Sequence, residues 1–284
     1  MRNAFRSSSC ARTRTVRGPT ARSPRAGSRT RAGGPSEDEL RNQIGDPDHI
    51  ADVYWSAIPG YLAEARFDEA RRLARLHNEA TRDLTPHHRL HGIAFVLEVE
   101  ELAANWEAIS ELAPRAEQAV RDNEATPCVH NPRSLLVCAL AEACLGDENE
   151  AHRFESFADS FAEHERGRVF DTRIRLALVR SDLEPVERLL AESEVPKRAL
   201  IRSTKFAPVA ARLDALAALG QRERVEAETP PLLRPGTYID PFALRALGVV
   251  RGDSGLVEEA AERFAAMGLA WYTRQTRALL VSGT

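Results

Sequence analysis

Residues 140–151 read Leu140-Ala141-Glu142-Ala143-Cys144-Leu145-Gly146-Asp147-Glu148-Asn149-Glu150-Ala151. An apolar helical run ends in glycine, the residue that takes a left-handed conformation at a helix C-terminus without a Cβ clash. Asp147 follows where a new helix needs an oxygen to accept a free backbone N–H, and acids fill the next turn. The stretch is a helix, a stop and a second helix.

The same punctuation occurs at five other places. They are Arg66-Phe67-Asp68-Glu69-Ala70, Asn105-Trp106-Glu107-Ala108-Ile109, Asp182-Leu183-Glu184-Pro185-Val186, Gln221-Arg222-Glu223-Arg224-Val225 and Asp253-Ser254-Gly255-Leu256-Val257. With Phe67, Trp106, Glu148, Leu183, Arg222 and Ser254 as equivalent anchors, the intervals are 39, 42, 35, 39 and 32 residues. Gly220 and Gly252 repeat the part of Gly146, and Asp182 and Asp253 that of Asp147. Apolar spacing predicts paired helices at 86–103 and 107–123, 132–145 and 148–165, 168–180 and 183–193, 204–219 and 221–228, and 239–251 and 254–267. A closing helix is predicted at 269–281. Upstream, Ser36 starts one helix and Asp46-Pro47 caps another, which Pro59-Gly60 should kink or break.

Helix–turn–helix units at this period give an all-α fold, a right-handed α-solenoid of about six TPR-like repeats, in which stacking creates the core that one hairpin lacks. The expected organisation is a disordered Arg-rich tail over 1–35 and a TPR-like solenoid over 36–284. No cap comparable to the closing helix precedes the first turn, which points to missing upstream repeats or a missing domain.

Composition agrees. Apolar residues make up 43% and aromatics 6%, so close packing of helices through small side chains is favoured over a sheet-based core. The net charge of −3 conceals two different polymers. Residues 1–35 carry nine Arg and no acid; the remainder holds 30 basic against 42 acidic residues, a net charge of −12. The tail reads first as an upstream extension, then as a basic arm for nucleic acid or anionic surfaces, and last as a transit peptide. Cys10, Cys128, Cys138 and Cys144 form no C-x-x-C pair, which suits a reducing cytoplasm and buried thiols. No apolar run is long enough for a spanning helix, so no membrane partner is expected.

Catalytic signatures are missing. The two lysines, Lys197 and Lys205, follow Pro196 and Thr204, so there is no P-loop. H-E-x-x-H, G-x-S-x-G and S-x-x-K are absent too. The expectation is therefore no enzyme, no catalytic residue, no cofactor and no metal. His87 and His91 share one helix face at i,i+4, a spacing a metal site can use. Only His77 lies near in sequence as a third ligand, so an exposed helix start is the default reading. Cys128-Val129-His130 reads as loop.

One constellation points to binding. Arg173, Arg212 and Arg245 lie 10, 10 and 9 residues before their turn anchors in three successive first helices. Equivalent positions in stacked hairpins form a ladder, so these arginines are the candidate partner-binding groove, suited to an acidic peptide or phosphate. The competing reading pairs them with intramolecular acids such as Asp171 and Asp214.

The turns at 66–70 and 146–151 resemble tetratricopeptide turns. The segments Thr126–Ala141 and Phe264–Tyr272 through Arg277–Leu280 resemble the C-terminal repeat region of large actinobacterial STAND-type ATP-dependent regulators and adenylate cyclase-like regulatory proteins. That resemblance implies a cytoplasmic, non-enzymatic sensor or interaction module of a signalling or transcriptional regulator, binding a protein, a peptide or a small effector. The alternatives are an all-helical enzyme with an unrecognised site and nucleic-acid binding through residues 1–35. Oligomeric state is left open.

Overall fold

A computed structural model describes residues 45–161, 169–192 and 206–282. The Arg-rich tail and the helix expected from Ser36 lie outside the described residues. Among the described residues there are thirteen α-helices and no strand. They are α1 (Pro47–Ala63), α2 (Phe67–Ala80), α3 (Pro86–Ala103), α4 (Trp106–Asp122), α5 (His130–Leu145), α6 (Glu148–Asp159) and α7 (Phe170–Val179). Then follow α8 (Leu183–Glu192), α9 (Phe206–Ala218), α10 (Arg222–Glu228), α11 (Asp240–Arg251), α12 (Ser254–Ala266) and α13 (Ala270–Ser282). None of these helices is long and apolar enough to cross a membrane.

All six turns are built alike. A residue with positive φ ends each first helix: Ala65, Ala104, Gly146, Ser181, Gly220 and Gly252. The next residue's N–H bonds back five residues to a carbonyl of the preceding helix. The pairs are Arg66 to Tyr61, Asn105 to Glu100, Asp147 to Glu142, Asp182 to Ala177, Gln221 to Leu216 and Asp253 to Gly248, at 2.9–3.0 Å. This is the 6→1 bond of a Schellman stop, and it satisfies carbonyls that a helix end leaves free. Gly268 makes a seventh stop of the same kind between α12 and α13. Three residues beyond each anchor a small or branched side chain is buried: Ala70, Ile109, Ala151, Val186, Val225 and Val257. The second helix of each hairpin thus starts in the same register on the core.

Two layers result. First helices touch in succession, α3 with α5, α5 with α7, α7 with α9 and α9 with α11. Second helices lie outside them. The inner helices are buried around most of their circumference; α5 buries Asn131, Pro132 and every residue from Ser134 to Ala143. The outer helices bury one stripe, as α6 does with Ala151, Phe154 and Ala158, the i, i+3, i+7 spacing of an amphipathic helix. Burying Phe154 alone stabilises by roughly 2–3 kcal/mol.

The end of the described chain packs against its beginning. The Tyr238 N–H donates to the Ala63 carbonyl at 3.0 Å, and its hydroxyl donates to the Leu102 carbonyl at 2.9 Å. Trp271 meets Trp106 edge-on, with ring centroids 5.5 Å apart. Contacts between hairpins distant in sequence therefore fill the space among the inner helices.

The helix break expected at Pro59-Gly60 does not occur. α1 continues through Pro59 to Ala63 as one helix. Pro59 removes one helical donor, but Ile58 and Leu62 on either side are buried in the core and hold both halves in helical register.

Candidate functional site

The three arginines of the predicted ladder are all engaged within the chain. Arg173 donates to Asp159 at 2.6 Å. Arg212 makes a two-pronged pair with Glu228, both bonds at 2.7 Å, and this partner holds its guanidinium above the usual pKa. Arg245 is buried; it pairs with Asp214 at 2.7 and 2.8 Å and donates to Thr276. Its guanidinium lies 5.1 Å from the ring centres of both Phe242 and Phe264. Asp214 is thus the intramolecular partner the sequence suggested. Asp171 serves Arg133 instead, at 2.8 Å.

Arg133 belongs to an interior charge network that the sequence did not reveal. It rises from α5 to reach Glu101 on α3 at 2.9 Å and Asp171 on α7. Arg175, also on α7, donates to Glu101 at 3.1 Å and to the Tyr272 hydroxyl of α13 at 2.6 Å. Two arginines and two carboxylates therefore balance, with Glu101 fully buried between the guanidinium groups. Burial alone would lower the pKa of Arg133, but Asp171 and Glu101 outweigh it and leave it raised. Arg175 is raised in the same way, against burial, by Tyr272 and Glu101. Nearby Glu98 is pushed up to about 7 by burial, with Arg133 pulling the other way. It can exchange a proton near neutrality.

A second cluster joins residues that the sequence kept apart. His87 and His91 on the first turns of α3 stand beside Cys128, in the loop before α5. One ligand atom from each lies within 4.8 Å of the others, and all three side chains are half-buried. His91 Nε2 is 3.6 Å from Cys128 Sγ. The His130 ring stacks edge-on at 4.5 Å from that of His91. Burial pushes His91 down to about 4 and His130 to about 3, so both imidazoles are neutral at physiological pH. His77 is likewise lowered by burial to about 4, and it packs edge-on against Phe95. His88 turns away: its Nε2 reaches Asp48 at 3.1 Å and its Nδ1 the Thr85 hydroxyl at 2.7 Å.

The other two thiols among the described residues behave as small apolar groups. Cys138 is fully buried and its pKa is raised by burial, while Cys144 is pushed up to about 12 by the same cause.

Where α13 meets the first two turns, a cleft of about 570 Å³ opens, lined among others by Arg66, Arg71, Asn105, Trp271 and Arg274. Further along the turn edge, Leu145, Val179 and Leu183 are exposed. The Arg180–Glu148 pair at 2.9 Å ties their two turns together.

Charged residues inside otherwise apolar first helices were the available signal for the network: Glu98 and Glu101 in α3, Arg133 in α5, Arg175 in α7. The histidine–cysteine cluster has no comparable signal, because 37 residues separate His91 from Cys128 and only stacking of α3 on α5 unites them. No protein-family model matches the chain, and no curated protein or solved structure matches it either.

Proposed function

We propose that this chain is a non-enzymatic, tetratricopeptide-like interaction module, a right-handed α-solenoid of six hairpins that binds a protein or peptide partner within a bacterial signalling or transcriptional regulator. The observation that carries this reading is the sixfold recurrence of one turn: a left-handed residue, a 6→1 bond and a buried residue three positions past the anchor. Stacked hairpins of this kind present extended surfaces whose side chains vary while the stops between them do not.

The turn edge is the surface that suits a partner. The ladder arginines are spent on Asp159, Glu228 and Asp214, so their charge is matched inside the chain. Leu145, Val179 and Leu183 are large apolar side chains left exposed at two turns that the Arg180–Glu148 pair joins. The full chain and its Leu145→Asp/Leu183→Asp variant, immobilised side by side, should differ in what they retain from a lysate of the native organism. The reading expects a stoichiometric partner on the unchanged chain and loss of at least about tenfold on the variant. Identical retention by both would sink it.

A further inference from the structure

We propose that His87, His91 and Cys128 form a binding site for a transition-metal ion of borderline softness, zinc by the chemistry of its ligands. The geometry is the first ground. Zinc takes imidazole nitrogen at about 2.0–2.1 Å and thiolate sulfur at about 2.3 Å in a tetrahedron, which sets the nitrogen-to-sulfur edge at about 3.6 Å. His91 Nε2 and Cys128 Sγ stand 3.6 Å apart. The third ligand atom lies within 4.8 Å of these two. The His87 and His91 rings are 4.2 Å apart by centroid.

The donor set is the second ground. Imidazoles plus one thiolate exclude magnesium and calcium, which take oxygen, and select zinc among the abundant divalent ions. All three ligand side chains keep partial solvent exposure, so an ion has a path of entry. Three protein ligands leave one position of the tetrahedron, which a water can fill.

The competing account of the 3.6 Å approach is a weak hydrogen bond between the Cys128 thiol and the His91 imidazole. The two accounts differ in what added metal does. On ligation the thiol becomes a thiolate and releases its proton to solvent, so binding becomes tighter as pH rises. The ion would also pin the start of α3 to the loop before α5.

The test uses untagged full-length chain stripped with a chelator and titrated with zinc alone by calorimetry, with cobalt as a spectroscopic substitute. We expect one site of about micromolar affinity or tighter, release of a proton on binding, and a cobalt–thiolate charge-transfer band. Cys128→Ser and His91→Gln should each weaken zinc by at least about tenfold, and the serine variant should lose the band. His88→Gln, which alters a neighbour bound to Asp48, should bind zinc as the unchanged chain does. Cys128→Ala and melting curves without metal confirm that the variants are folded. Absence of binding up to about millimolar zinc, or zinc affinity unchanged in either ligand variant, overturns the assignment.

Discussion

Replacing Glu101 by leucine should unfold this chain more readily than any surface substitution can. Glu101 is fully buried and takes hydrogen bonds from Arg133 at 2.9 Å and Arg175 at 3.1 Å. Leucine fills much the same space but removes the charge. Arg133 retains Asp171, whereas Arg175 keeps the Tyr272 hydroxyl at 2.6 Å and the Trp106 ring but no counter-charge. A guanidinium buried without a counter-charge costs about 3–5 kcal/mol. In a domain of this size, with about 2–4 °C per kcal/mol, the melting temperature should fall by roughly 6–20 °C. Two readouts separate charge from packing. Arg175→Met on the Glu101→Leu background restores neutrality, and the cycle should return about 1–3 kcal/mol of coupling. Urea unfolding followed by circular dichroism measures both. A cost below about 1 kcal/mol for Glu101→Leu, or a cost unchanged by Arg175→Met, would refute a dry, balanced network.

Three further outcomes follow from the same geometry. A Cβ at Gly248 would lie 2.7 Å from Val257 Cγ2 and 2.9 Å from the Val257 backbone nitrogen. Gly248→Ala should therefore destabilise by about 1–3 kcal/mol in denaturant titration, and a neutral result would mean α11 and α12 pack less closely. Ser181 holds a left-handed φ of 57° at an exposed turn, so Ser181→Gly should raise the urea midpoint by about 1 kcal/mol equivalent without changing the m-value. Burial raises Glu98 from its ordinary carboxylate pKa to about 7, so the folded state holds its proton longer than the unfolded state does. Stability from this group is complete below the unfolded pKa and is lost as pH climbs towards 7. Because Glu98 keeps some exposure, about 3 kcal/mol is a ceiling for that loss. Glu98→Gln should flatten this slope in melts from pH 4 to 8, and a parallel curve would reject the assignment.

What was legible in the chain was local. Gly146, Gly220 and Gly252 announce left-handed stops through their missing Cβ, and Asp147 and Asp253 accept backbone N–H groups at 3.0–3.2 Å as their positions promised. Ala65, Ala104 and Ser181 take the same conformation without being glycine. There the anchors that follow, rather than the stop residue, marked the turn. The arginine ladder shows where local reading ends. Equivalent spacing placed Arg173, Arg212 and Arg245 in successive first helices, but spacing carries no information about Asp159, Glu228 or Asp214 across the packing. Pro59 misled for a related reason: its helix-breaking tendency is a local property, and burial of Ile58 and Leu62 overrides it. The charge network and the histidine–cysteine cluster both depend on one inner helix lying on the next. Nearest-neighbour stacking was foreseen, but which side chains it would join was not.

The two ends of the described helical array meet, through Tyr238 on Ala63 and Leu102 and through Trp271 on Trp106. Spin labels at Asp68→Cys and Arg274→Cys, both exposed residues lining the same cleft, report on it directly by pulsed dipolar distance measurement. In an open array, successive helix layers at roughly 8–10 Å would separate α2 from α13 by on the order of 50 Å. The closed arrangement predicts a single population well below half that distance. A distribution centred near the open-array value would contradict it.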